Sequence, residues 1–190
     1  MSKNNFDPEL IESNWNTFES LCNRFGDTGL ARLLDELGQR LAECPSSPRL
    51  DGPGCHPGGL IDVTLRVTSM MRKLNEALDE KASTPSILKV GLLHDLGKVG
   101  DVEDDHFLEQ TSDWHRDKLG QLYRYNEEMP KMGYSHRTLW LLQHYGVTLT
   151  REEWEAIYVA GGLHLEENRF YSNTKSPLTR LLAAARLLAL

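Results

Sequence analysis

The sequence VGLLHDLGKVGD, residues 90–101, runs from apolar residues directly into the pair His94 and Asp95. The preceding residues predict a helix, because Thr84 is a suitable N-cap and Pro85 suits the first helical position. An imidazole and a carboxylate at the end of a buried helix can both ligate one divalent metal ion. A His-Asp dipeptide alone is a weak signal, so its meaning depends on the rest of the chain.

Helical periodicity dominates the rest of the chain. Leucines recur with helical spacing between residues 30 and 41, and residues 8–25 place apolar side chains near one face. The sequence TREE at 150–153 is a capping box, and Ser-Pro at 176–177 starts a last, nearly apolar helix. The side chains expected to pack are Leu10, Trp15, Phe18, Leu21, Cys22, Phe25, Leu30, Leu33, Leu34, Leu37 and Leu41, with Trp114, Trp140, Trp154 and Tyr145 as further core residues. No long alternating strand pattern is found, so the sequence predicts an all-α fold.

Two segments interrupt the helical pattern. Residues 45–59 hold four of the eight prolines and four of the fifteen glycines, which predicts an ordered loop or a lid. We expect an N-terminal helical extension at 1–50 and the main domain at 51–190, in one compact unit. Residues 99–128 are polar and predicted to be irregular.

Composition excludes several functions. The net charge of −7 argues against binding to extended nucleic acid, which requires a basic face. The chain has no apolar run long enough to span a membrane and no secretion signal at its start, so we expect a cytoplasmic protein. The three cysteines fit reduced thiols, and a Cys44–Cys55 disulfide is disfavoured.

Several motifs together resemble the HD-domain superfamily, the all-α metal-dependent phosphohydrolases, and most closely its small phage and bacterial members. They are GGLIDVTLRV, LLHDLGKVGD, WHRDKLGQLYRYN, LWLLQHYGVTLTREEWEAI and GLHLEENRFY, followed by a Leu/Ala-rich helix. The resemblance runs from about Cys55 to the C-terminus. It implies an HD-type helical bundle, a divalent metal, a phosphate-bearing substrate and, for a phage-encoded protein, the host cytoplasm.

The chain departs from the implied metal site at most of its ligand positions. His94 and Asp95 remain, but expected ligand positions are occupied by Val63, Ala160, Ala183 and Arg186. A guanidinium at the last position would repel a metal cation. We therefore expect no metal cofactor, and we predict that Arg186 pairs with Asp95 in its place. If the protein is active, the metal would be Mn, Fe, Zn, Ni or Mg.

Other residues are candidates for a ligand pocket, each with a simpler alternative. Catalysis would depend on Asp95 and Lys98, with Lys98 otherwise a solvated lysine. His56 either contacts substrate or caps loop backbone. His144 and His164 either line the pocket or play local structural roles. The pocket set is His56, His94, Asp95, Lys98, His144, His164 and Arg186. His106 and His115 flank an acidic loop. The sequence DVEDDH, residues 101–106, is either a second metal site or a solvated acidic loop.

Three functions fit these observations. The first is a catalytically degenerate HD protein that binds a nucleotide, another phosphorylated ligand or a protein partner. The second is an active phosphohydrolase with an altered metal site built from His94, Asp95 and either His56 or His144. The third is a structural or assembly subunit, in which the last helix contacts a second copy or another chain instead of being buried in its own domain.

Overall fold

The part of the chain that the structure describes, residues 7–174 and 176–190 of a computed structural model, contains eight α-helices and one two-stranded sheet. This confirms the predicted all-α class. The N-terminal residues 1–6, which were included in the search for a secretion signal, lie outside the described residues. The helices are α1 (Pro8–Asn23), α2 (Thr28–Glu43), α3 (Gly59–Glu76), α4 (Thr84–Leu93), α5 (Asp113–Leu119), α6 (Tyr134–Tyr145), α7 (Arg151–Tyr158) and α8 (Pro177–Ala189); the strands are β1 (Phe107–Glu109) and β2 (Tyr123–Tyr125).

The helix starts follow from the capping residues. Asp27 caps α2, the Thr150–Glu153 capping box begins α7, and Ser176 caps α8, as the last two motifs predicted. For α4 the prediction was wrong by one residue. Ser83 is the N-cap, with its hydroxyl accepting from the Ser86 amide at 3.2 Å, and Thr84 is already helical.

The N-terminal helices share one hydrophobic core with the rest of the described chain. All five predicted leucines of α2 are buried, together with Phe18 and Cys22 of α1. Leu10, however, is exposed, because it lies in the first turn of α1, before the helix reaches the core. The three cysteines are free thiols.

Helices α3 and α4 approach each other closely at Gly91. A Cβ atom added to this glycine would lie 2.6 Å from the Thr68 hydroxyl and 3.1 Å from the Thr68 Cα. The first distance is too short for a real contact and the second is unusually tight, so a side chain at position 91 would push the two helices apart. Because Gly91 is one turn before His94, the same approach positions the His-Asp pair.

We predict that Gly91→Ala destabilises the protein by about 1–2 kcal/mol. Overpacking against Thr68 costs roughly 1–3 kcal/mol, and the better helix propensity of alanine offsets part of this cost. Urea denaturation would measure the loss. A free energy of unfolding equal to that of wild type would contradict the close approach.

Residues 99–128 are more regular than the sequence predicted. Strands β1 and β2 pair in antiparallel fashion, with Phe107 opposite Tyr125, and Ser112 caps the short helix α5. Strands of three residues are too short for alternation to be recognised in the sequence. Their pairing is stabilised by ring contacts among Phe107, Tyr123 and Tyr125.

Arg40 of α2 holds the loop that follows the His-Asp segment. Its guanidinium donates to Asp105 Oδ1 at 2.6 Å and to the carbonyls of Asp101 and Val102 at 2.9 and 3.0 Å. It also donates to the Val99 carbonyl at 3.4 Å. One side chain of the N-terminal helices therefore organises residues 99–105.

Of the aromatic residues after α2 that were predicted to be in the core, three are not. Tyr145 is buried, but Trp114, Trp140 and Trp154 are exposed. Two of these tryptophans stack on neighbours along their own helices, Trp140 on His144 and Trp154 on Tyr158. Each pair is four residues apart, so stacking along the helix surface gives the same spacing as a buried face would.

The last helix is buried over its first part only. Helix α8 buries Leu178, Leu181, Leu182 and Ala185 against the bundle, whereas Leu187 is 84% exposed and Leu188 62% exposed. The alternative in which the whole helix is buried in its own domain is therefore wrong for its last turn. No helix among the described residues is both long and apolar enough to cross a membrane.

Candidate functional site

The His-Asp pair lies where α4 ends and the chain turns under α6. The turn Leu96–Lys98 follows Asp95 directly. Thr138 of α6 secures it: its hydroxyl accepts from the Gly97 amide at 2.8 Å and donates to the His94 carbonyl at 3.3 Å. A Cβ atom at Gly97 would lie 2.3 Å from the Tyr134 carbonyl oxygen, so the turn requires glycine at this position.

The Asp95 carboxylate is buried between two cations. Its side chain is 4% exposed, with Lys98 Nζ 2.8 Å from Oδ2 and Arg186 Nη1 2.8 Å from Oδ1. The predicted pairing of Arg186 with Asp95 is present. Each carboxylate oxygen faces a protein cation, at the position where the resemblance implied a metal ion.

Lys98 is part of this buried cluster. It is only 8% exposed, and its ammonium donates to the Ser46 hydroxyl at 2.9 Å. The alternative of a solvated lysine is therefore wrong. Ser46 belongs to the proline- and glycine-rich loop, whose backbone is held there by a bond from the Ser46 amide to the Gly54 carbonyl at 2.8 Å.

His94 is fully buried and its protonation is fixed by its neighbours. Its Nδ1 lies 2.8 Å from the Gly91 carbonyl oxygen, which can only accept, so Nδ1 carries the proton. Nε2 then presents a lone pair, 3.8 Å from Asp95 Oδ2, with no hydrogen-bond partner among the described residues. Burial lowers the pKa of His94 to about 4, helped by the positive charges of Arg186 and Lys98.

The cluster carries one surplus positive charge at neutral pH. Burial acts to raise the pKa of Asp95, but Lys98, His94 and Arg186 act against it, and the pKa falls below its ordinary range. Asp95 is therefore ionised and His94 neutral. One carboxylate faces two cations, which favours an additional anion nearby.

Three of the four positions that depart from the implied metal site line one pocket beside this cluster. Its volume is about 350 Å³. Ala160, Ala183 and Arg186 line it, and His164 lies exposed at the same pocket. The remaining lining residues are Ala156, Val159, Gly161, Gly162, Leu163, Thr179, Leu182 and Leu187.

The other predicted site residues are more scattered. His144 is exposed on α6, where it stacks on Trp140 with ring centroids 5.4 Å apart, so it does not join the buried cluster. His56 is half-buried in the loop, with Nδ1 2.9 Å from the Pro57 carbonyl oxygen, and its own carbonyl accepts from the Gly59 amide. Val63 is a core residue.

The residues present do not fit a divalent metal. Within residues 7–174 and 176–190, no three His, Cys, Asp or Glu side chains are grouped to hold a metal ion. Neither the His94–Asp95 pair nor the acidic loop ending at His106 therefore forms such a group. His106 instead packs among aromatic rings, with Nδ1 3.0 Å from Arg137 Nη1. At Asp95 the two cations lie where a metal would have to bind.

Sequence reasoning missed Ser46 and Thr138 as members of this site. Each contributes one hydroxyl from a segment distant in the chain, and no motif marks either residue. The chain has no significant match among family models, curated proteins or solved structures. The resemblance to HD proteins therefore stays a prediction based on its motifs.

Proposed function

We propose that this chain is an HD-type protein that has lost metal-dependent phosphohydrolase chemistry and acts by binding a nucleotide or another phosphorylated ligand. One observation carries the proposal: the Asp95 carboxylate is paired on both oxygens by Lys98 and Arg186. A metal would have to displace both cations, and like charges in a buried site repel strongly. The surplus positive charge of the cluster instead suits an anionic ligand.

We expect the purified protein to retain no Mn, Fe, Zn, Ni or Mg after incubation with each metal and desalting. Elemental mass spectrometry measures the metal content. Nucleotides should raise the melting temperature equally with and without a chelator, because ligand binding to the folded state stabilises it by mass action. A near-stoichiometric metal together with release of phosphate from nucleotides would overturn the proposal.

An active enzyme with an altered metal site is the second candidate function. Nε2 of His94 has no hydrogen-bond partner in the described part of the chain, which favours this function, since a neutral imidazole with an available lone pair is a good metal ligand. The metal-content measurement separates the two functions. His94→Gln should remove any bound metal if the enzyme is active, and should change nothing in metal content if the first proposal is correct.

The assembly-subunit alternative depends on the exposed leucines at the end of α8. An assembly function through this helix predicts a mass that rises with concentration in sedimentation experiments. Leu187→Glu, at the most exposed of these positions, would then lower the mass.

A further inference from the structure

The pocket beside Arg186 exists because small residues occupy positions where the resemblance implied large polar ligands. Ala160 of the turn after α7 and Ala183 of α8 both line it. Most of the remaining wall is aliphatic, including Val159, Leu163 and Leu182. A volume of about 350 Å³ lies at the lower end of the range for small-molecule sites, roughly 300–1,000 Å³, and suits a ligand with a single ring or a short chain.

Arg186 connects this apolar pocket to the buried charges. It lines the pocket, and its side chain is 24% exposed, whereas that of Asp95 is 4% exposed. A ligand in the pocket would therefore meet the guanidinium and not the carboxylate behind it. The bond to Asp95 uses Nη1, and no other nitrogen of this guanidinium has a hydrogen-bond partner within the described ranges.

The charge balance specifies the charge of the ligand. Asp95 can neutralise only one of its two cations, and Lys98 is the more buried of them. An uncompensated charge at the edge of an apolar pocket is stabilised by a counter-ion that makes hydrogen bonds to it. One negative charge restores neutrality.

We propose that this pocket binds a small organic monoanion, whose acid group pairs with Arg186 and whose apolar body fills the space between Ala160 and Ala183. The proposal rests on the proposed function in one respect, since both require the cluster to be free of metal. It concerns this pocket alone, whose ligand is smaller and less charged than a nucleotide.

Three probes separate the contribution of the ligand's negative charge from that of its apolar body. Benzenesulfonate has a ring and one negative charge, methanesulfonate has only the charge, and benzyl alcohol has only the ring. Titrations followed by amide chemical shifts should show benzenesulfonate binding at least about tenfold more tightly than either of the others. The shifts should concentrate on α8 and on residues 159–164. Equal affinity for benzenesulfonate and methanesulfonate would overturn the proposal.

Filling the pocket without touching any charge gives a second test. Ala183→Leu should weaken benzenesulfonate binding by at least about tenfold, because the added methyl groups occupy the space for the ring. Ala184→Leu is the matched control on the same helix. It lines a different groove, with Leu78 and Leu181, and should leave binding unchanged. Unchanged binding by Ala183→Leu would place the site elsewhere.

The two proposals fail in different ways. A bound transition metal with phosphate release contradicts the proposed function, whatever benzenesulfonate does. A metal-free protein that is stabilised by nucleotides but does not bind benzenesulfonate in this pocket retains the proposed function and overturns the assignment of this pocket.

Discussion

Asp95→Asn is expected to destabilise the protein by about 3–5 kcal/mol, the largest loss that we predict for any single substitution here. The variant keeps the volume of the side chain but removes its charge. Lys98 and Arg186 would then be left facing each other without a counter-ion, and Lys98 has little access to water. Chemical denaturation followed by circular dichroism would measure the change in the free energy of unfolding.

Two further variants make this experiment decisive. Asp113→Asn removes a carboxylate from an exposed ion pair with Arg116 and should cost less than about 1 kcal/mol. Combining Asp95→Asn with Arg186→Gln should recover part of the loss, because the second change removes one of the unpaired cations. A loss for Asp95→Asn as small as that for Asp113→Asn would show that the buried cluster does not form.

The stability of the protein should fall as the pH is lowered from about 6.5 to about 4, and His94 should account for about 3 kcal/mol of this loss. The folded state holds His94 neutral down to a pKa of about 4, whereas an unfolded histidine has a pKa of about 6.5. Between these values the unfolded state binds a proton that the folded state does not, so acid favours unfolding. Below about pH 4 the contribution of His94 no longer changes.

The slope of stability against pH isolates this effect. His94→Gln should flatten the dependence between pH 4 and 6.5 relative to wild type, even if the variant is less stable at every pH. His106, whose burial also lowers its pKa to about 4, contributes with the same sign and remains in both proteins. Asp95 acts only at lower pH, since its depressed pKa preserves its contribution above about pH 4. An unchanged slope in His94→Gln would contradict the buried neutral imidazole.

The helices were predictable because their signals are local. The leucine spacing of α2 and the capping box of α7 involve residues within a few turns of one another, so sequence patterns are sufficient to find them. The tryptophans were misjudged because helical spacing shows that side chains share a face but not which face is buried. Trp140 and Trp154 lie on faces that stay partly open to solvent, each being 41% exposed.

The site was only partly predictable. The contact of Arg186 with Asp95 could be predicted, because a buried carboxylate without a metal needs a cation. The role of Lys98 depended on a turn whose direction the sequence does not specify. Ser46 lies 52 residues from Lys98 and Thr138 lies 41 residues from Gly97, and such contacts follow from tertiary packing alone.

The bonds from Arg40 to the loop after the His-Asp segment have a consequence for the order of folding. They join residues 59–65 positions apart in the chain, so they can form only after the entropy of closing a long loop has been lost. Contacts of this separation slow folding compared with contacts between neighbours in sequence. We therefore expect residues 99–105 to reach their final conformation only after α2 has docked, so that the N-terminal helices form before this side of the site is complete.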